Sequence, residues 1–171
     1  NSFRFKVGLN PKEHKQKPTG KKAGLINKNG FFTTEVSLEE LKTSLSKGMT
    51  FTPSYFKDGK RSNKNFQGAY VFALDFDDNQ NPTEKIEQLK EYGIKTNIYY
   101  PSFSDTPKYR KFRLVIVFDT PIEDKKLRNK VQLAIMDIVK DSDRACKDAS
   151  RMFYGSNSCE VIDSNANSFE D

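Results

Sequence analysis

Residues 68–76 read GAYVFALDF, a nearly unbroken apolar run of strand length that ends among acids. A strand this apolar is buried on both faces, so it belongs inside a sheet and under a covering layer. Asp75 then stands at the exit of a central strand and Asp77 just beyond it. The two-residue period of a strand puts both carboxylates on one face, with Asp78 adding a third acid nearby. Neighbouring carboxylates repel unless a cation lies between them, and paired divalent ions clamp the attacking and leaving oxygens of a phosphoryl displacement. The pair therefore reads as a metal clamp. The alternative is a strand ending in a polar turn, because Asp77, Asp78 and Asn79 are turn formers.

Around this strand the spacing predicts a regular order. Asn81, Pro82 and Thr83 open a helix carrying Ile86 and Leu89, Gly93 closes it, and 95–100 resumes as a strand, giving a β-α-β unit. A further strand is predicted at 112–118 (FRLVIVF) and a helix over 123–140 with the stripe Leu127, Val131, Ile135 and Ile138. A closing strand is expected at 151–154. Upstream, 3–9 suits an edge strand and 10–30, rich in Lys, Gly and Pro, a mobile basic loop. Ser37 and Glu40 have capping-box spacing ahead of Leu38, Leu41 and Leu45, and Gly48 marks the stop, so a helix is predicted at 38–47. Strand, helix, strand, strand, helix, strand is the order of an α+β fold with an RRM-like (ferredoxin-like) sheet, here with an added N-terminal α/β subdomain. A length of 171 residues suits one domain, expected over 1–160 and divided into 1–66 and 67–160, with 161–171 as a polar linker or tail.

Charge narrows the partner. Lys and Arg number 29 against 23 Asp and Glu, a balance that favours a polyanion. The excess is local: residues 1–29 hold eight cations and one acid, 57–64 hold four and one, and 108–113 hold four and none. Two cysteines and one histidine exclude a zinc site built from four Cys or His ligands. With no secretory signal and no apolar run near the roughly 18 residues of a membrane span, a cytoplasmic protein with no membrane partner is expected. The chain opens on Asn1 rather than Met, so further domains of a longer polypeptide are expected.

Residues 100–115, YPSFSDTPKYRKFRLV, place the hydroxyls of Ser102 and Ser104 on one strand exit and the cations Lys108, Arg110, Lys111 and Arg113 on the return. Such a hairpin can cradle a triphosphate, since guanidinium forks and short hydroxyl contacts suit phosphate oxygens. The bland reading is an exposed basic turn. Arg113 stands apart because it lies within an apolar strand, where an unpaired charge is costly. Further on, Asp143, Ser150 and Arg151 add a late carboxylate, a hydroxyl and a cation. Asp119 competes with Asp143 as third metal ligand, and spacing does not separate them.

Four stretches together resemble the archaeo-eukaryotic primase superfamily, in particular the primase-polymerase domains of bacterial mobile genetic elements. They are KDGKRSNKNF (57–66), FALDFDD (72–78), SFSDTPKYRKFRLVIVFDTPI (102–122) and SDRACKDASRMFYGS (142–156), in the family's order. The resemblance implies metal binding (Mg²⁺ or Mn²⁺) by Asp75, Asp77 and Asp143. It also implies contacts to nucleotide or template by Ser102, Ser104, Arg113 and Arg151, with Arg61 reaching the same site. Lys108, Arg110 and Ser150 complete the expected nucleotide-binding set. The implied activity is template-directed nucleotidyl transfer, with nucleoside triphosphates and single-stranded DNA as partners, the Lys-rich N-terminal segment along the template, and a fused or separate helicase. The second motif departs from the family, where Ser-x-His is common: here Ser104 stands two positions after Ser102 and no histidine follows. The rival readings are a non-catalytic single-strand-binding module, because RKFRLVIVF (110–118) loosely matches an RNA-recognition strand, and a replication initiator on the same fold.

Overall fold

The computed structural model describes residues 3–28 and 30–170; Asn1, Ser2, Asn29 and Asp171, which fall within the expected units, lie outside them. In chain order the elements are β1 (Phe5–Asn10), α1 (Gly20–Lys28), β2 (Phe32–Val36), α2 (Leu38–Ser46), β3 (Thr50–Thr52), β4 (Ser54–Phe56), β5 (Phe66–Phe76), α3 (Pro82–Glu91), β6 (Ile98–Pro101), β7 (Phe112–Ile122), α4 (Lys125–Val139) and β8 (Glu160–Val161). Two sheets result, with strand orders β2-β1-β3 and β4-β5-β7-β6-β8. One hydrophobic cluster runs through both, from Phe5 and Val7 to Phe72, Leu74, Val115 and Val117. Among the described residues no helix is long and apolar enough to cross a membrane.

The apolar run is the interior of β5, and Val71, Phe72 and Leu74 have no exposed surface. It pairs antiparallel with β7, which pairs antiparallel with β6. β5 and β6 are therefore parallel with β7 between them, the split β-α-β arrangement of an RRM-like sheet. α3 begins where expected: Asn81 caps it by accepting from the amides of Thr83 and Glu84, and Pro82 occupies the first turn. α2 has the full Ser37–Glu40 capping box and buries Leu38, Leu41 and Leu45. Truncating Leu41 there would cost about 2–5 kcal/mol.

Several expectations are corrected. β1 is not an edge strand: β2 and β3 flank it, so both of its backbone edges are bonded and Phe5, Val7 and Leu9 are buried. The 10–30 segment is not simply a loop. It contains α1, and its first part is pinned where the His14 amide donates to the Gly48 carbonyl and Asn157 Nδ2 to the Lys15 carbonyl. The 151–154 segment is not a closing strand of the larger sheet. Phe153 instead exchanges backbone hydrogen bonds of 2.9 and 2.8 Å with Phe51, tying the segment to β3. Gly155 follows because a Cβ there would lie 2.4 Å from the Met49 carbonyl oxygen. The tail is packed rather than free over 161–170. Asn167 is 4% exposed and bonds to Lys95, Asn97 and Val117, while Phe169 stacks on Phe118 with centroids 3.9 Å apart.

α4 is rotated relative to the predicted stripe. Its buried face is Arg128, Gln132, Ile135, Met136 and Val139, and Leu127 is 50% exposed. The cause lies in β5, because β4 covers that strand's outer edge only along 66–69. Beyond it Gln132 Nε2 donates to the Ala73 carbonyl at 3.0 Å, and the Asp143 amide donates to the Asp75 carbonyl at 2.7 Å. Arg128 reaches the Lys147 carbonyl and Gln132, and burial pushes its pKa down to about 10.

Candidate active site

Asp75, Arg113 and Tyr100 face one another on adjacent strands, forming a row across β5, β7 and β6. Their neighbours Phe76 and Phe112 turn to the other face and stack with centroids 4.9 Å apart. The strand period thus delivers the charged row to one side and the aromatic pair to the core. Asp77 lies just past the end of β5. Asp143 arrives from the turn after α4. Its amide is fixed on Asp75, and its Oδ1 accepts from the Ala145 amide at 3.0 Å, capping a short 3-10 turn. Upstream of it, Lys85 is 4% exposed and donates to the Val139 carbonyl at 2.7 Å and to Asp141 at 3.1 Å, closing the end of α4.

One carboxylate oxygen from each of Asp75, Asp77 and Asp143 lies within 4.8 Å of the others. Three hard oxygen donors at that separation suit Mg²⁺ or Mn²⁺ rather than a soft metal. Asp119 is excluded as the third member: it sits six residues beyond Arg113 on the same strand, about 20 Å along it. Two guanidiniums reach the acids. Arg113 Nε is 3.3 Å from Asp75, and Arg151 Nη2 bridges Asp75 at 3.4 Å and Asp143 at 3.2 Å. Burial nonetheless holds the Asp75 carboxyl above its ordinary pKa, with Asp77 and Asp143 adding repulsion and the two arginines only partly offsetting it. Burial works against the Arg113 cation too, but Tyr100 and Asp75 outweigh it and its pKa is raised. Arg113 also donates to the Tyr154 carbonyl at 2.6 Å and lies over the rings of Tyr100 and Phe153.

Asp75, Asp77, Arg113, Asp143 and Arg151 line a cavity of about 490 Å³ together with Lys17, Arg61, Ser102, Phe103, Ser104, Lys111, Asp148, Met152 and Tyr154. That volume is within the usual range for small-molecule sites. The structure divides the expected nucleotide-binding set. Ser102, Ser104, Arg61, Arg113 and Arg151 border the cavity, whereas Lys108, Arg110 and Ser150 do not. Arg110 is spent on the hairpin itself, donating to Asp105 at 3.0 Å and to the Tyr99 hydroxyl at 2.8 Å. Asp105 also accepts from the Lys111 amide, so it organises the turn. Ser150 donates its hydroxyl to Asp148, and its carbonyl accepts from Arg61. Lys17 and Tyr154 border the cavity without having been singled out for it. No sequence signal joins Lys17 to cavity residues 44 to 137 positions away, whereas Tyr154 lay within the last matching stretch.

No family model matches this chain, and no curated protein matches it significantly. Among solved structures, the primase-polymerase AEP domain (PP-N190) of cyanophage S-2L superimposes with a TM-score of 0.53 at 9% identity, over 98% of this chain and 84% of that one. The catalytic domain of primase RepB′, solved in complex with initiator DNA, gives a TM-score of 0.45 at 14% identity, over 98% of this chain and 80% of that one. The likeness to the cyanophage domain shows that this chain has the archaeo-eukaryotic primase fold.

Proposed function

We propose that the chain is the catalytic domain of a primase-polymerase, joining nucleotides on a single-stranded DNA template by metal-dependent phosphoryl transfer. We place that activity in the replication of a mobile genetic element, in concert with a fused or separate helicase. The observation that carries the catalytic reading is the convergence of Asp75, Asp77 and Asp143, from two parts of the chain, on a cavity walled by cations. A binding module has no need of three gathered carboxylates, which repel its polyanionic ligand.

Asp75, Asp77 and Asp143 would hold the divalent ions. When bound, such ions favour ionisation of the attacking 3′-hydroxyl and neutralise the departing pyrophosphate. The remaining work is positioning and electrostatics. Arg113 and Arg151 are already oriented on the acids and offer their other N–H groups to phosphate oxygens. The hydroxyls of Ser102 and Ser104 face the triphosphate from the hairpin. Lys17 and Lys111 border the cavity from opposite parts of the chain, and neither ammonium is in an ion pair among the described residues. They supply charge where the family more often has an imidazole, because phosphate binding needs donors rather than a particular ring.

The test is incubation with template, labelled nucleotides and Mg²⁺ or Mn²⁺. A ladder of extended products is expected from the wild type and none from Asp77→Ala, while both bind template alike. No ladder under any metal, with folded protein, would overturn the catalytic reading.

A further inference from the structure

Next to the catalytic cavity is a surface that its chemistry leaves unused. Arg61, on the cavity wall, lies over the ring of Phe31 at 5.4 Å. The next residue, Phe32, opens the edge strand β2 with 44% of its surface exposed. The turn after β4 packs onto this strand. Gly59, at φ 70°, lies so close that a Cβ would meet the Phe32 Cα at 2.9 Å, and Thr33 Oγ1 donates to the Phe56 carbonyl at 3.2 Å. The same turn carries Lys57, Lys60 and Lys64, all exposed, and none has an ion pair among the described residues. An exposed ring, a stacked guanidinium and three ammonium groups outside any ion pair thus fall on two adjoining segments, 31–33 and 57–64, a strip that meets the cavity at Arg61.

We infer that this strip is a track for single-stranded nucleic acid, carrying the template between solvent and the catalytic cleft; the inference rests on the template-directed reading above. An unpaired base stacks on Phe32, and Lys57, Lys60 and Lys64 meet backbone phosphates. Stacking commits the surface to single strands, since bases within a duplex have no free face to offer a ring. The lysines give an affinity that is tolerant of sequence and falls with salt.

The experiment is anisotropy of a labelled single-stranded DNA oligonucleotide titrated with full-length protein over a series of KCl concentrations. Phe32→Ala should weaken binding by about tenfold and Phe32→Tyr should restore it. The combined Lys57→Gln, Lys60→Gln and Lys64→Gln variant should lower the slope of log affinity against log salt by about 2, at about 0.7 per phosphate contact. Because all four side chains are exposed, melting temperatures should stay at the wild-type value. Wild-type affinity and slope in these variants would overturn the track while leaving the catalytic reading intact. An equal loss for a duplex on Phe32→Ala would overturn the stacking assignment. A wild type that binds no single strand, and makes no product, would overturn both.

Discussion

Replacing Asp75 with Asn should separate catalysis from stability. The side chain is 9% exposed, and burial raises its pKa despite guanidiniums at 3.3 and 3.4 Å. A carboxyl whose folded pKa lies above its unfolded value contributes stability that is fully present below the unfolded value and lost as pH rises through the folded one. Ionisation of this carboxyl is therefore a net cost to the metal-free fold, and a neutral amide of the same shape removes it. Against this, the arginines lose an anion. Breaking a fully buried pair costs about 3–5 kcal/mol. Here the loss is smaller, because Arg113 and Arg151 side chains are 14% and 25% exposed. Arg113 also keeps the Tyr154 carbonyl, and Arg151 keeps Asp143. The opposing terms leave a net change within about 1 kcal/mol, or roughly 2–4 °C in melting temperature for a domain of this size. Synthesis, which needs the ligand, should fall at least about a thousandfold, equivalent to about 4 kcal/mol of transition-state stabilisation. Melting curves in EDTA and extension rates at saturating nucleotide measure the two. A drop beyond roughly 10 °C, with activity tracking the folded fraction, would make Asp75 a structural anchor and refute the metal assignment.

Two further outcomes are expected. Arg113→Lys keeps the charge but loses the fork that serves Asp75 and the Tyr154 carbonyl together, so it should raise KM for nucleotide more than it lowers template affinity; a normal KM beside a large fall in melting temperature would instead make Arg113 a purely structural ion-pair partner. Burial pushes the thiols of Cys146 and Cys159 up to about 12, so the stability they contribute is full below their ordinary pKa and declines as pH rises towards 12. Cys146 is buried and Cys159 half-buried, so iodoacetamide at pH 8 should leave Cys146 unlabelled and label Cys159 slowly in the folded protein, and label both after unfolding, as mass spectrometry would show; native labelling of Cys146 would contradict its burial.

What was legible in the chain was what local chemistry specifies. The double burial of β5, the capping box of α2 and the Asn-Pro start of α3 are short-range signals, and each element forms where its residues place it. Asp75 and Asp77 come together as the strand period predicts, although Asp77 lies one residue past the end of the strand. The misreadings involve distant partners. A polar tail looks like a linker until Asn167 is seen to bond to Lys95, Asn97 and Val117. Arg128 and Gln132 hide the buried face of α4 because their burial depends on acceptors elsewhere, the carbonyls of Lys147 and Ala73. The hairpin cations divide for the same reason. Arg110 is claimed by Asp105 and Tyr99, which leaves Lys111 at the cavity, and composition alone gives both residues the same charge.

The gathering of Asp143, rather than Asp119, with Asp75 and Asp77 follows from the backbone. β4 stops pairing with β5 at Ala69, so the carbonyls of Ala73 and Asp75 on that edge would be buried without partners, at about 1–3 kcal/mol each. A side-chain amide from α4 takes the first and the amide of Asp143 takes the second. The third acid is thus delivered by its backbone to the residue beside whose carboxylate it stands, with its side chain at the cavity held by the Ala145 amide and Arg151. In a regular ferredoxin-like sheet the last strand would cover this edge and no loop could enter there. In this chain the last strand, β8, pairs with β6 at the opposite edge. Moving that strand opens the space beside Asp75, and the exposed carbonyls draw in the loop that fills it.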